Sequence, residues 1–394
     1  MAIEYAGSRR AGARPRRFEA TDARTIARRF DWLLLGGVAG LIAYGLHLIT
    51  GITQDDVAGA PHYYVIRQGA YAAVGGLALI GVSFLDPDLY RRWWRYLYGA
   101  TLALLLIVFP FGAEARGSQR WISLGSFQFQ PSELVKLLVV LAVGGFLAER
   151  ARRLGEVQTV LGAIGLTAVP TLLVFFQPDV GTSLVYCAAL GGMLFVVGAR
   201  WLHLGALLAL IVVLAGSVVW LLPSVVGVDV LEPYQMKRLT AFVNRENELQ
   251  GAGYNVEQSI LAIGAGGLRG RGVENATQTN LDYLPEHATD FAFASLAEQR
   301  GFFGAALLLL LYLLVVWRGL RIVTYASDPY TAIVSGGLVL GLLFQIFVNI
   351  GMTMGMAPVT GIPLPFVSVG GSSLVTNLLA IGVLQAIHAR GRKR

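Results

Sequence analysis

Asp290 stands in YLPEHATDFAFASLAEQRG, residues 283–301, directly ahead of the apolar run FFGAALLLLLYLLVVW. Glu286, His287, Asp290, Glu298 and Arg300 crowd into that stretch. One ionisable group would mark a membrane boundary; five point to work done at the membrane surface. A carboxylate at a helix head, partly withdrawn from water, is placed for general-base chemistry. Capping a helix that begins at Phe291 is the plainer role for Asp290. Glu298 and Arg300 lie about two turns deeper and are expected to face neighbouring helices or a cavity, not lipid.

Four further segments carry groups of the same kind. In GSQRWISLGSFQFQPSELVKLL, 117–138, Pro131 suits a first helical turn. Glu133 and Lys136 then share one face at i and i+3. Lys136 falls about one turn inside the helix, where an amine needs a partner or a cavity. The pair is either a helix-stabilising ion pair or a cationic site for an anionic headgroup, balanced by Glu133. In FFQPDVGTS, 175–183, Asp179 caps the next helix or faces a polar cavity, and the two roles are compatible. GAGGLRGRG, 264–272, offers backbone N–H groups with Arg269 and Arg271, a combination able to cradle phosphate. It lacks the GK[ST] ending of a P-loop, and a flexible glycine turn is at least as good a reading. VEQSILAIGAG, just before it, has helical apolar spacing. GIPLPFVSVGGSSLVTN, 361–377, is broken by prolines and a Gly-Gly pair. It reads as irregular backbone lining a cavity, because lipid tolerates no unpaired backbone. Its Ser372 and Ser373 could bond headgroup oxygens or the local backbone.

What positions these groups is a bundle of membrane helices. Of the 394 residues, 55% are hydrophobic and 14% charged, and the mean hydropathy is +0.61. Soluble domains carry roughly 25% charged residues. Ten candidate spans follow from runs near the ~20 residues that cross a bilayer: 32–52, 64–84, 95–112, 132–148, 157–176, 181–198, 202–222, 291–317, 330–355 and 366–388. Placing the N-terminus in the cytoplasm puts eight tail arginines inside. Arg91, Arg92, Arg95, Arg150, Arg152, Arg153, Arg200, Arg318, Arg321 and the basic residues of the 390–394 tail join them. That is 21 of the 31 Lys and Arg residues, as the positive-inside rule asks. The expected organisation is a basic cytoplasmic tail over 1–30, a membrane domain over 31–389 with a large extracytoplasmic loop at about 223–290, and a short basic tail at 390–394. The fold class is an all-α integral membrane protein with both termini cytoplasmic.

The net charge of +7 is accounted for by these inside segments and does not require nucleic acid. The polar, Arg-rich start does not read as a cleavable signal. Cys187 is alone in an apolar run, so no internal disulfide is expected. The five histidines are scattered, with no metal-binding motif. No metal site is expected from motif, although a divalent cation such as Mg2+ or Mn2+ could assist the chemistry.

Taken together, RWISLGSFQFQPSELVK, QPDVGTS, QSILAIGAGGLRGRG followed by LPEHATDF, and PLPFVSVGGSS resemble the SEDS family (shape, elongation, division and sporulation) over residues 31–389. GAGYNVEQS and PLPFVSVGG are more similar to its RodA branch than to its FtsW branch. The resemblance implies a peptidoglycan glycosyltransferase. It would polymerise lipid II, a disaccharide-pentapeptide on undecaprenyl pyrophosphate, at the outer face of the bacterial cytoplasmic membrane, with a class B penicillin-binding protein as partner. By the same resemblance Asp290 matches the essential carboxylate, Glu133 and Lys136 match the QPSE-x-x-K pair, and Asp179 matches the QPD aspartate. Asp290 would take or position the proton of the acceptor hydroxyl. Lys136, with Arg120, Arg269 and Arg271 behind it, would face the leaving pyrophosphate. The sequence departs from the usual pattern at Ala292, at Glu298-Gln299-Arg300, at Val369 and at Ser118-Gln119. None of these touches the four charged positions. A division-specific polymerase, a lipid II flippase and a non-catalytic scaffold are the competing readings.

Overall fold

Inside lipid, a backbone can satisfy its own N–H and C=O groups only as a helix or a closed barrel. The computed structural model has the helical solution. It describes residues 23–391 apart from 55, 116–117, 126, 152, 154–155, 217–235, 237, 239–241 and 243–250. The expected tail over 1–22, the last residues 392–394 and most of the loop beginning at 223 lie outside the described residues. The helices are α1 (Ala23–Arg28), α2 (Trp32–Ile52), α3 (Tyr63–Phe84), α4 (Pro87–Arg92), α5 (Trp94–Leu106), α6 (Val108–Phe111), α7 (Pro131–Glu149), α8 (Val157–Phe176), α9 (Val180–Val197) and α10 (Trp201–Gly216). They continue with α11 (Ala252–Gly266), α12 (Thr277–Asn280), α13 (Ala292–Tyr325), α14 (Pro329–Thr353) and α15 (Gly371–Arg390). Among the described residues, nine helical segments are long and apolar enough to cross a membrane. The expected tenth, 202–222, begins as α10 and runs outside the described residues.

The start of α2 meets the end of α15. Asp31 caps α2 by accepting the Leu34 N–H. It also pairs with Arg318 Nη2 at 2.6 Å and donates its own N–H to Gln385 Oε1. These contacts bring the start of α2, the lower part of α13 and the end of α15 to one end of the bundle. The opposite end gathers the C-termini of α2 and α14 and the N-termini of α7, α9, α13 and α15.

The centre is formed by α7, α14 and α15, whose apolar windows are 83%, 72% and 78% buried, against 17% for α3. The helix α7 touches α5, α8, α9, α14 and α15. Helices in lipid approach closely through small residues, and α14 meets α9 in this way. A Cβ on Gly336 would come within 2.4 Å of Val196 Cγ2, and one on Gly192 within 2.6 Å of Leu340 Cβ.

Two departures from the sequence expectation matter for function. First, residues 113–129 are not plain loop. Strands β1 (Ala113–Ala115), β2 (Ser118–Leu124) and β3 (Phe127–Phe129) form a small antiparallel sheet in the order β1-β2-β3. The helical membrane fold expected from the sequence thus carries one small β element.

Second, the span expected at 291–317 is two pieces. Gly301 breaks α13 at φ 65°, ψ −162°, a conformation essentially reserved for glycine. Residues 292–299 before the break are all buried in protein. After it, Phe302, Phe303, Leu307, Leu310 and Leu313 are exposed, as a lipid-facing surface would be. Of the charged groups of the opening stretch, Glu298 and Arg300 lie on the segment before the break, and Glu286, His287 and Asp290 lie on the turn that precedes α13.

The glycine stretch at 264–272 packs against this break. A Cβ on Gly270 would lie 2.3 Å from Gln299 O, and one on Gly301 2.3 Å from Gly270 N. Arg271 N donates to Glu298 O at 2.9 Å and Gly272 N to Gln299 O at 3.0 Å, while Gly270 N bonds Gly266 O. Glu298 is fully buried. Its carboxylate accepts the backbone N–H groups of Gln278 and Thr279 and the Thr279 hydroxyl, tying α12 to α13.

Two stability changes follow. Gly301→Ala should lower stability by about 3 kcal/mol or more through strain and clash, whereas Gly76→Ala, where nothing lies within 4 Å, should be close to neutral. Glu298→Gln, which aims an amide at two N–H donors, should cost about 2–3 kcal/mol. Thermal unfolding of the detergent-solubilised protein reads both.

Candidate functional site

At the end of the bundle away from Asp31 and Arg318, Asp290 sits half-buried on the last residues before α13. The expectation that it caps the helix is corrected. Phe291 occupies the cap position, with no side-chain cap bond. What fixes Asp290 instead is its backbone: Asn349 Nδ2, on α14, donates to Asp290 O at 3.0 Å and to Ile362 O at 2.8 Å. A Cβ on Gly361 would lie 3.7 Å from Asp290 Oδ2 and 3.0 Å from Arg238 Nη1. A carboxylate and a guanidinium therefore flank the same glycine, whose φ is 72°.

One helical turn along α14 lies the second charged centre. Lys136 Nζ pairs with Glu133 Oε2 at 2.7 Å and donates to Gln345 Oε1 at 3.0 Å. Glu133 is 2% exposed and Lys136 9%. Pro131 starts α7 as expected, and the i, i+3 spacing makes the pair. Gln345 and Asn349 stand four residues apart, hence on one face of α14. That face holds Lys136 at one position and the Asp290 carbonyl at the next. Below Lys136 a narrow cavity runs between α7, α9, α14 and α15, lined by Tyr186, Gln345, Phe366 and Asn377 together with Val, Leu and Ala side chains.

Of the two roles expected of Asp179, the structure shows the cap. Asp179 caps α9 through Thr182 N–H. Its other oxygen accepts from Gln130 Nε2 at 2.9 Å and from the Ser132 hydroxyl at 3.2 Å, and Arg120 Nη1 approaches at 3.6 Å. It is buried, so it is a brace between the head of α7, the head of α9 and β2, not a cavity wall. Ser372 extends the brace to α15, accepting from Gln130 N–H and donating to Gln128 O. Ser373 accepts from Asn377 Nδ2. Both serine hydroxyls thus have internal partners.

Arg269 and Arg271 are exposed, and Arg271 donates to the Thr277 hydroxyl. The backbone N–H groups of 270–272 are already engaged, as described above, so the phosphate-cradle reading of that segment is left with side chains only. The Arg271 backbone meets α13 at Glu298, about 12 Å along the axis from Asp290 at about 1.5 Å per residue.

The rest of the charged opening stretch divides among separate tasks. Glu286 accepts from the Thr289 hydroxyl. Arg300 reaches His47 on α2. His287 approaches Asp56, with Nε2 to Oδ1 at 3.2 Å. His287, Asp56 and Asp282, which form no sequence motif, offer ligand atoms within 4.8 Å of one another. Sequence reading missed Arg238, Gln345, Asn349 and Asp56. None sits in a distinctive motif, and only the fold brings them to the site.

These features can be set beside known proteins. The FtsW/RodA/SpoVE family, described as cell cycle proteins, matches residues 31–393. The peptidoglycan glycosyltransferase MrdB of Escherichia coli K12 is 40% identical over 350 residues, covering 88% of this chain and 90% of the relative. Stage V sporulation protein E of Bacillus subtilis is 37% identical, with 84% and 88% covered. A probable peptidoglycan glycosyltransferase FtsW of Coxiella burnetii is 35% identical, with 92% and 97% covered. Among solved structures, a chain of a peptidoglycan synthase complex that coordinates polymerisation and crosslinking aligns with a TM-score of 0.76 at 30% identity over 91% of this chain and 97% of that one. Rod shape determining protein RodA of Thermus thermophilus aligns with a TM-score of 0.67 at 28% identity, over 93% and 98%. A carboxylate held at the mouth of a multi-pass helical bundle, a buried Glu-Lys pair beside it and a match over almost the whole length make this chain a member of the FtsW/RodA/SpoVE family.

Proposed function

We propose that the protein is a peptidoglycan glycosyltransferase that polymerises lipid II at the outer face of a bacterial cytoplasmic membrane, in the elongation role of the RodA branch. The observation that carries this reading is that the Asp290 carboxylate and the Arg238 guanidinium both lie beside Gly361, at the bundle end opposite Asp31 and Arg318. A base and a cation stand together where a headgroup can arrive while its lipid stays in the bilayer. The basic tails favour placing the termini in the cytoplasm, which puts this mouth outside.

In the proposed reaction the acceptor sugar's 4-hydroxyl attacks the anomeric carbon of the growing chain with inversion. Asp290 takes the hydroxyl proton. The bond to undecaprenyl pyrophosphate breaks, and the departing diphosphate carries away the electron pair. Arg238, which flanks Gly361 with Asp290, is the cation proposed to meet that developing charge. Lys136, one turn of α14 below and paired with Glu133, is the next cation toward the bundle interior. A class B penicillin-binding protein is the partner expected for crosslinking, in line with the synthase complex to which the fold is similar.

A flippase would need polar groups along the whole crossing. The cavity below Lys136 is lined mainly by Val, Leu and Ala side chains, which favours the polymerase. Purified protein given lipid II, alone and with a class B penicillin-binding protein, should make glycan visible on a gel. The product should persist with penicillin-type and moenomycin-type inhibitors present. No product under either condition would contradict the proposal.

Asp290→Asn should reduce polymerisation by at least about 10²-fold with melting behaviour unchanged. Arg238→Gln should reduce the rate by about 10²–10³-fold, with Arg238→Lys partly restoring it. Lys136→Met should destabilise by about 3–5 kcal/mol by stranding Glu133. The double variant Glu133→Gln/Lys136→Met should recover stability but not activity; recovery of both would reduce Lys136 to a packing role.

A further inference from the structure

The geometry points to a second site, a binding site for a divalent transition-metal cation of the Zn2+ or Mn2+ type, built from His287, Asp56 and Asp282 and separate from the Asp290 centre. Asp56 follows the end of α2, and Asp282 and His287 lie between α12 and α13. Their ligand atoms come within 4.8 Å of one another. Ligands about 2.1 Å from one ion lie roughly 3–4 Å apart, and Asp282 is exposed, so a small rotation of its side chain closes the difference.

The second observation is the state of His287. It is 8% exposed, yet its buried Nε2 has no hydrogen-bond partner. Asp56 Oδ1 stands 3.2 Å away, off the line that a hydrogen bond needs. A buried imidazole nitrogen that faces a carboxylate without a hydrogen bond, with a second carboxylate within 4.8 Å, suits a ligand set. Asp56 and Asp282 also line a polar recess that Glu274 shares, so a third carboxylate is available as an outer ligand. Imidazole favours Zn2+ and its neighbours, while carboxylates alone would suit Mg2+ or Ca2+. The mixed set selects the borderline ions.

The site has a structural consequence for the chain. The segment from Asp282 to Asp290 includes two non-glycine residues in the left-handed region, Asp282 at φ 55° and Glu286 at φ 57°. Its turn closes through Phe291 N to Glu286 O, and Ser295 donates to His287 O. A cation on His287 would pin this strained turn to the end of α2, and Asp290 sits three residues further on. Asp290 itself is not a ligand. Binding is a property of the chain whether or not it polymerises glycan.

The test uses the full-length protein in detergent, stripped with chelator and titrated with Mn2+, the free ion being read by electron paramagnetic resonance. Zn2+ and Mg2+ are then added as competitors. About one Mn2+ should bind per chain. An equimolar amount of Zn2+ should displace it, and a 100-fold excess of Mg2+ should not. Asp282→Asn should weaken binding at least 10-fold; asparagine also accepts the left-handed region, so the turn is preserved. His287→Gln should do the same. Asp290→Asn should bind within twofold of the unchanged protein, and Mn2+ should raise the melting temperature of that variant but not of Asp282→Asn. Absence of binding, Asp282→Asn binding as well as the parent, or loss of binding in Asp290→Asn alone would each overturn the site.

Discussion

Lys136 can be buried in this bundle only because Glu133 is buried with it. An isolated ammonium at that depth carries a penalty that a partner and a cavity must offset. The structure supplies Glu133 from the same helix and Gln345 from α14. Everything near the mouth is registered on this arrangement. With Gln345 held at Lys136, the next turn of α14 presents Asn349, which accepts no choice of position for Asp290: its amide bonds the Asp290 and Ile362 carbonyls together. The two charged centres are therefore coupled by one helical turn rather than by direct contact. The heads of α7 and α9 are locked by Asp179, and that of α15 by Ser372, so the register cannot slip from the other side.

A second constraint is the break in α13. A continuous helix from Asp290 would carry Glu298 and Arg300 into lipid. The Gly301 break instead ends a protein-buried segment and begins a lipid-facing one. The glycines at 266 and 270 let the preceding loop close onto that break, with backbone approaches that no side chain would fit. Glu298 then replaces water for the N–H groups at the start of α12. The segment that carries Asp290 is thus anchored by its neighbours in the protein, while the membrane holds only the helix below.

Much of the membrane architecture was legible in the sequence, because spanning helices announce themselves as long apolar runs with few charges. The limits were set where local pattern and tertiary context diverge. The run after Asp290 reads as one span because Phe291 and Phe293 are as apolar as Phe302 and Phe303, and nothing in composition separates protein-buried from lipid-facing phenylalanine. The sheet at 113–129 was missed because its strands are short and depend on Arg120 and the helix heads for anchorage. Glu133 with Lys136 was readable from spacing, and the Asp179 cap from its place before an apolar run. Arg238 was not readable, since nothing in PYQMKR marks one arginine as the partner of Asp290. The same holds for Asp56, which meets His287 only through the packing of α2 on α13. The glycine-rich stretch was ambiguous for a physical reason: backbone N–H groups that could cradle an anion look identical in sequence to ones that bind another strand of the same chain.

The central claim is that the mouth formed by Asp290, Arg238 and Gly361 receives the diphosphate-sugar headgroup. A cryo-electron microscopy structure of the protein with a non-reactive lipid II analogue tests it most directly. The headgroup should lie between the Asp290 carboxylate and the Arg238 guanidinium, with the Lys136–Glu133 pair intact beneath. A headgroup bound at the end of the bundle that holds Asp31 and Arg318, or one drawn into the apolar cavity with Lys136 pulled away from Glu133, would contradict it.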